Sequence, residues 1–321
     1  YHGGGIDPQP DRYNSTWQIK MQRDHEAVFG PANYSFNRGD AHIVVMRNII
    51  YSTNTTSNNY EVGFTDAQWE WLKQDLALVP KDKMVVLGAH IKMHNESKNH
   101  IAEVTALLGE YKEAHIFTGH SHIQRNYPTS GSTKKVFEHN LGAICGASWF
   151  CKMGEDGTPN GYNVFIGERA TFSDWYRMAY NKRLDSRSQQ MRLYRGNLRC
   201  GGQYDHIQLQ HGAGVILANI FNADDNWKIK IYEDGAYVGT MTKMAKSNSG
   251  PNKYSPDQNN PGKPSTSSSL DWWIIGYHTG VLGLGDPKDD SKHSGNYKDC
   301  FHMYKWTLKN AHICSHICHC I

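Results

Sequence analysis

The stretches KMVVLGAH (83–90) and AHIFTGHSH (114–122) each run from a short apolar segment into a glycine and a histidine. An apolar run of this length, bounded by turn residues, predicts a buried strand, here over 83–89 and 114–118. Between the two strands, apolar side chains at helical spacing predict a helix from about Lys98 to Tyr111. Two strands joined by a helix imply a parallel pair with a crossover connection.

The same alternation extends toward the start of the chain. The run AHIVVMRNI (41–49) predicts another buried strand. Residues 65–79 predict a helix that Thr65 or Asp66 can cap and that stops before Pro80. Its predicted buried face consists of Trp69, Leu72, Leu76 and Val79. The order of strands and helices predicts an α/β fold, with a parallel sheet covered on both faces.

The pattern changes after about residue 140, where short strand-like segments alternate with turns. Asp234-Gly235, between WKIKIYE and AYVGTM, predicts a β-hairpin. Residues 246–269 are rich in Ser, Pro, Asn and Gly, which predicts a long surface loop. We therefore expect two domains, an α/β domain over 1–143 and a β-rich C-terminal domain over 144–321.

Composition excludes some functions. The 321 residues carry 34 Lys and Arg against 31 Asp and Glu, and a formal charge of +3 does not favour binding to nucleic acid. No apolar run reaches the length of about 18 residues that a membrane-spanning helix needs, so no transmembrane segment is predicted. Nine Trp and 18 Tyr are typical of exported proteins that face carbohydrate or other surfaces. A first residue of Tyr1 rather than Met predicts a processed or partial product.

Three histidines follow the last two predicted strands of the α/β domain. His90 ends GAH, and His120 and His122 belong to GHSH. Ligands of open α/β sheets bind at the carboxyl ends of parallel strands, so these imidazoles should converge on one crevice. Neutral imidazole binds Zn, Fe, Mn and similar ions, and two ions about 3.5–4 Å apart can hold a phosphoryl group. The alternative for a single strand-end histidine is hydrogen-bonded packing.

With these motifs, the sequence resembles the calcineurin-like metallophosphoesterases, and more narrowly a bacterial multidomain branch with its own β-rich C-terminal domain. The segments that carry the resemblance lie along nearly the whole chain: 29–45, 64–76, GAH, GHSH, 138–150, 156–165, 217–235 and 302–310. The resemblance implies a metallophosphoesterase-type sandwich of two sheets between helices. It also implies that His90 and His120 bind the second metal ion and His122 the first.

The chain departs from the family at its start. The family's Asp-x-His, Gly-Asp-x-x-Asp and Gly-Asn-His-Asp motifs are absent, and YHGGGID (1–7) stands where the last of them is expected. His2 and Asp7 are weak candidates for a remnant of that site. The sandwich is therefore expected to be N-terminally incomplete. Because three imidazoles carry no charge to offset two dications, we expect impaired catalysis from the chain as given.

The resemblance implies hydrolysis of a phosphate mono- or diester with two divalent transition metal ions, without distinguishing Mn, Fe and Zn. The expected substrate is a phosphorylated small molecule or glycan, and the expected location is the periplasm, the cell surface or the medium. The alternative is a non-catalytic binding or scaffold component of a bacterial cell surface. Such a protein would use the aromatic-rich β domain to hold glycan or protein partners.

Other segments have more than one interpretation. HICSHICHCI (312–321) suggests a Zn or Cu site, disulfides, or a divergent chain end. Trp272-Trp273 and Trp149-Phe150 suggest sugar-stacking platforms or domain core. Arg192, Arg195 and Arg199 suggest a phosphate site or a solvated face.

Overall fold

The structure is a computed structural model that describes residues 15–51, 60–128, 136–145, 153–154, 156–180, 187–195, 214–244 and 302–308. The segments 1–7, 246–269 and 312–321, discussed above, lie outside the described residues, as do the two aromatic pairs at 149–150 and 272–273. The chain divides into two compact units, and the predicted domain boundary at 143/144 stays a prediction. The first unit holds Tyr1–Ser121, Asn126–Asn140 and Phe165–Asp174, and the second holds His122–Arg125, Leu141–Val164 and Trp175–Ile321.

The first unit is built on a six-stranded sheet with three helices. The helices are α1 (Ser15–Phe29), α2 (Asp66–Ala77) and α3 (Ile101–Leu108). The strands up to residue 140 are β1 (Tyr34–Arg38), β2 (Ala41–Val45), β3 (Ile49–Tyr51), β4 (Tyr60–Val62), β5 (Met84–Gly88), β6 (Glu113–Thr118), β7 (Arg125–Pro128) and β8 (Val136–Asn140). The order in the large sheet is β1-β2-β5-β6-β8-β7, and β3 and β4 form a separate hairpin.

The central strands of this sheet are parallel, as the sequence predicts. β2 pairs with β5, β5 with β6 and β6 with β8 in parallel, while β1 pairs antiparallel with β2. One predicted strand is longer than the observed one, because the run over 41–49 leaves the sheet after Val45 and re-enters a strand at Ile49. The side chain of Asn48 in this break is fully buried. The chain therefore leaves the sheet here to place a polar side chain in the interior, and the break is not a surface turn.

Helix α2 confirms its predicted start, but it ends at Ala77, so Val79 of the predicted face lies beyond it and Trp69 is only partly buried. The Thr65 side chain accepts a hydrogen bond from the backbone N–H of Gln68, and the Gln68 side chain accepts one from the N–H of Thr65. This reciprocal capping satisfies two donors that a helix start leaves open. Leu72 and Leu76 are fully buried. The helix therefore packs its apolar stripe into the core of the first unit.

Helix α3 is shorter than predicted. It begins at Ile101, because Asn99 and His100 adopt left-handed backbone angles, with φ of 50° and 63°. All four apolar positions of the predicted stripe are nevertheless buried in the same core as α2: Ile101, Val104, Leu108 and Tyr111. Apolar spacing thus predicted what the segment buries better than where its helix begins.

The second unit is rich in strands. From residue 161 onward the strands are β9 (Gly161–Gly167), β10 (Phe172–Ala179), β11 (Met191–Arg195), β12 (Val215–Ile220), β13 (Lys230–Glu233), β14 (Ala236–Thr240), β15 (Thr242–Lys243) and β16 (Met303–Thr307). Asp234 and Gly235 have positive φ and join β13 to β14, which confirms the predicted hairpin. A four-stranded sheet has the order β11-β12-β16-β15. The described residues as a whole form a sheet-rich fold with few helices.

Candidate functional site

Two of the three predicted histidines meet at the carboxyl ends of β5 and β6. The His90 Nε2 and His120 Nδ1 atoms lie 3.3 Å apart, and the two rings meet edge to face with centroids 5.1 Å apart. Backbone hydrogen bonds join the segments that carry them, from Ala89 N–H to the Phe117 carbonyl and from Gly119 N–H to the His90 carbonyl. The strand-end rule therefore predicted this pair correctly.

The backbone of His90 is held from β2 by Asn48. The Asn48 Oδ1 atom accepts hydrogen bonds from the N–H groups of His90 and Ile91 at 3.0 and 2.9 Å. Its Nδ2 group donates to the Ile91 carbonyl at 2.6 Å. One buried amide thus fixes the turn that follows β5, and sequence reasoning missed it because Asn48 only interrupts an apolar run.

Tyr60, on strand β4, is a second residue that sequence reasoning missed. Its hydroxyl lies 3.1 Å from His120 Nε2, on the ring nitrogen that does not face His90. The two rings meet edge to face at 5.9 Å between centroids. A partner on one ring nitrogen selects the tautomer and leaves the other nitrogen for a ligand. No signal in the sequence marks Tyr60 apart from its place in a strand-forming segment.

A third residue that sequence reasoning missed, Glu138 on β8, is buried beside both histidine-bearing segments. Its Oε1 atom accepts hydrogen bonds from Met93 N–H and from Thr118 Oγ1, each at 2.8 Å. Its Oε2 atom makes no hydrogen bond within the described residues. Burial raises the pKa of Glu138 above the usual range of a carboxyl group, and the two hydrogen bonds oppose this only in part.

His122, the third predicted ligand, belongs to the second unit and is partly exposed. Its convergence with His90 and His120 stays a prediction. Both GHSH histidines have left-handed backbone conformations, with φ of 66° at His120 and 59° at His122. Such conformations are uncommon outside glycine, and they concentrate at functional sites.

The His90–His120 pair fits part of a metal site. Two nitrogen ligands at about 2.1 Å from a tetrahedral ion lie about 3.4 Å apart, close to the spacing of Nε2 and Nδ1 here. Among the described residues, however, no group of three or more His, Cys, Asp or Glu side chains is arranged to hold a metal ion. The described site therefore supplies two neutral ligands and no carboxylate.

The opposite end of β6 carries a different polar cluster. Glu113 Oε1 accepts a hydrogen bond from His115 Nε2 at 2.7 Å, and His115 Nδ1 lies 2.8 Å from His139 Nε2. His139 Nδ1 in turn lies 2.7 Å from the Asn126 Oδ1 atom. The contacts thus run from a carboxylate through two stacked imidazole rings to a side-chain amide.

Two pKa shifts accompany these contacts. Burial acts to raise the pKa of Glu113, but hydrogen bonds from His115, Thr171 and the Phe172 backbone lower it to about 2. Burial, together with the charge of His115, holds the pKa of His139 well below its usual range. Because His115 and His139 are both buried, we assign this cluster to the stability of the sheet.

The second unit contains a buried ion pair of its own. Asp156 accepts hydrogen bonds from Gln124 N–H, Thr158 and His302, with His302 Nε2 at 3.3 Å from Asp156 Oδ2. Burial opposes ionisation of Asp156, yet its bond to His302 lowers the pKa of the carboxyl group. Burial also lowers the pKa of Arg177 to about 10. The segment at 156–161 thus organises the interior of this unit.

The structure describes two of the three arginines in the predicted cluster, and these two differ in their surroundings. Arg192 is bound to its own unit, since its Nη1 group donates to the Gly157 carbonyl at 2.9 Å and its guanidinium lies over the Phe221 ring. Arg195 is exposed, and Arg199 lies outside the described residues. The described pair therefore gives the phosphate-site interpretation no support.

Comparison with known proteins finds a family for part of the chain. Residues 138–270 match the family described as the C terminal of calcineurin-like phosphoesterase. The match confirms the predicted resemblance to the calcineurin-like metallophosphoesterases, and that family points to phosphoester hydrolysis in general terms. Within it, the matched part is the C-terminal domain, which is the feature of the predicted branch.

Two further findings complete the comparison. No curated protein matches the chain in sequence. In the described part of the chain, no helix combines the length and the apolar character that crossing a membrane would require.

Proposed function

We propose that this protein takes part in metal-dependent hydrolysis of a phosphate mono- or diester, with one divalent ion held by His90 Nε2 and His120 Nδ1. The observation that carries the proposal is the 3.3 Å spacing of these two nitrogens at the carboxyl ends of neighbouring parallel strands. The family match over 138–270 supports the reaction class independently.

The surrounding residues prepare this pair for a metal ion. Asn48 fixes the backbone of His90, and the Tyr60 hydroxyl lies within hydrogen-bond distance of His120 Nε2, which leaves Nδ1 of that ring facing His90. When bound, divalent ions supply Lewis acidity, which stabilises the negative charge of a phosphoryl group. His90 and His120 would hold the second ion of the family's pair, and His122 stays the proposed ligand of the first.

Low activity of the chain as given is part of the proposal. The described ligands are neutral, and a dication is held more strongly where carboxylates offset its charge. Among the described residues, no Asp or Glu joins the pair in a group of three or more metal ligands, and burial raises the pKa of the Glu138 carboxyl group. We therefore expect phosphatase turnover by this chain to be close to background even when a metal is bound.

The test is a metal and turnover assay on the full chain. After loading with Mn²⁺ or Zn²⁺ and dialysis, elemental analysis should find metal in the wild type and little in His120→Ala. His25→Ala, a histidine on the exposed helix α1, should retain the wild-type metal content. Equal metal in wild type and His120→Ala would refute the proposed site.

Hydrolysis of p-nitrophenyl phosphate and bis(p-nitrophenyl) phosphate should be measured in the same samples. Metal-dependent turnover that His120→Ala abolishes would support catalysis and refute the expected impairment. Absence of both metal and turnover would favour the scaffold alternative, which nothing in the family match favours. The phosphorylated small-molecule or glycan substrate and the periplasmic or surface location stay predictions.

A further inference from the structure

We infer that Glu138 is a positioning residue that holds together the two segments carrying His90 and His120, and so sets the spacing of the metal pair. This inference rests on the proposed function. It concerns a residue outside GAH and GHSH, on a strand that carries neither histidine.

The geometry is that of a clamp with a single acceptor. The Glu138 Oε1 atom accepts a hydrogen bond from the N–H of Met93, which lies three residues after His90. It accepts another from the hydroxyl of Thr118, which lies two residues before His120. Both distances are 2.8 Å, within the range of good hydrogen bonds. One oxygen therefore ties the segment after β5 to the end of β6.

The burial of Glu138 carries a free-energy cost, because its carboxyl group is removed from water. The residue is fully buried, and its Oε2 atom has no hydrogen-bond partner within the described residues. A leucine of similar size would avoid that cost, but it would leave Met93 N–H and the Thr118 hydroxyl without this acceptor. A polar group in such a place calls for an explanation beyond packing.

Asn48 does not duplicate this function. Its three hydrogen bonds all go to His90 and Ile91, so it fixes one segment to β2. Glu138 adds a side-chain link between the two segments to the backbone hydrogen bonds that already join them. Removing the Glu138 acceptor should therefore loosen the segments and change the spacing of the two imidazoles, whereas removing an apolar contact elsewhere in the unit should not.

The experiment titrates the full chain with Co²⁺, whose visible absorption reports the number and geometry of its ligands, and confirms the affinities with Zn²⁺. Glu138→Leu should weaken metal binding by about tenfold to a hundredfold, the usual effect of losing an outer partner of a metal ligand. Glu138→Gln keeps an acceptor oxygen and should stay within about threefold of wild type. The Co²⁺ spectrum should change in Glu138→Leu only.

A destabilised control separates positioning from folding. Val104→Ala removes methyl groups from the fully buried core position on α3, so it lowers stability without touching the clamp. At a temperature where all variants are folded by circular dichroism, it should bind Co²⁺ as the wild type does.

Three outcomes would overturn the inference. If Glu138→Leu binds as tightly as wild type while His120→Ala binds weakly, the metal site stands and the clamp fails. If Glu138→Gln loses as much affinity as Glu138→Leu, a bridging acceptor is not what matters. If wild type binds no better than His120→Ala, the proposed function fails, and the clamp fails with it.

Discussion

Glu113 on β6 and Glu138 on β8 are in opposite electrostatic situations. Glu113 is partly exposed at the amino end of its strand, where it accepts a hydrogen bond from His115, and its pKa falls to about 2. Glu138 is fully buried, and burial raises its pKa although the charge of Lys92 and several hydrogen bonds act to lower it. Burial alone therefore does not set the charge of a carboxyl group, because the nearest partner decides it.

The difference also separates polar residues that stabilise the sheet from those that lie near the proposed metal site. The charged cluster at the amino end is closed on itself, with each polar atom of His115 given to a neighbour. The carboxyl end, where His90 and His120 meet, is the end at which open α/β sheets bind ligands. The following variants test whether this division is real.

Replacing His115 should have the largest effect. His115→Leu removes the buried ring that donates a 2.7 Å hydrogen bond to Glu113, and the loss of such a partner from a carboxylate should cost about 2 kcal/mol. Urea unfolding at pH 7 should show this loss in the free energy of unfolding. Asp24→Asn, which breaks the exposed Lys20–Asp24 pair, should cost less than about 0.5 kcal/mol. Similar losses for both variants would mean that the buried cluster is electrostatically unimportant.

A matched pair of threonine variants compares the hydrogen bonds to the two glutamates directly. Thr171→Val removes a 2.7 Å hydrogen bond to ionised Glu113 and should cost about 1.5 kcal/mol, because hydrogen bonds to charged groups are the stronger ones. Thr118→Val removes a 2.8 Å bond to Glu138 and should cost about 1 kcal/mol. Thermal and urea unfolding measure both losses. A larger loss for Thr118→Val than for Thr171→Val would contradict an ionised Glu113.

Acid should reveal Glu113. Its folded pKa of about 2 lies below the unfolded value, so the stability it provides is present above about pH 5 and is lost as the pH falls toward 2. The stability difference between wild type and Glu113→Gln should therefore shrink by about 1 kcal/mol across that range, after allowance for partial exposure. A difference independent of pH would show that Glu113 is not ionised in the fold.

Glu138→Gln should have the smallest effect of these variants, with the opposite dependence on pH. The folded pKa of Glu138 lies above the unfolded value, so the stability linked to its neutral form is present at acid pH and is lost as the pH rises through the folded pKa. Relative to wild type, Glu138→Gln should therefore gain stability as the pH is raised from 4 to 9. Unfolding curves that keep a constant difference over that range would contradict a raised pKa.

Sequence reasoning succeeded where periodicity or a local rule decides the structure. The buried stripe of α2 follows from apolar spacing, and the Asp234-Gly235 hairpin follows from turn chemistry. The meeting of His90 with His120 follows from the order of the strands, since parallel neighbours end at the same edge.

It failed where a polar side chain binds a residue that is distant in the sequence. Asn48, Tyr60 and Glu138 contact residues far along the chain, and nothing nearby in sequence marks them. The same holds for Asp156 and His302, whose pairing joins two segments that the sequence suggested only as family landmarks. Such partners depend on the tertiary arrangement, which periodicity does not encode.

The place of β16 in the second unit has a consequence for synthesis on the ribosome. Residues 303–307 pair with β12 on one side and β15 on the other, although β15 ends at Lys243. The sheet therefore stays open at its middle until the last of these strands emerges, and closing it requires contacts of long sequence separation, which form slowly. During translation, the exposed edges of β12 and β15 would be the part of this chain most open to aberrant association with other nascent chains.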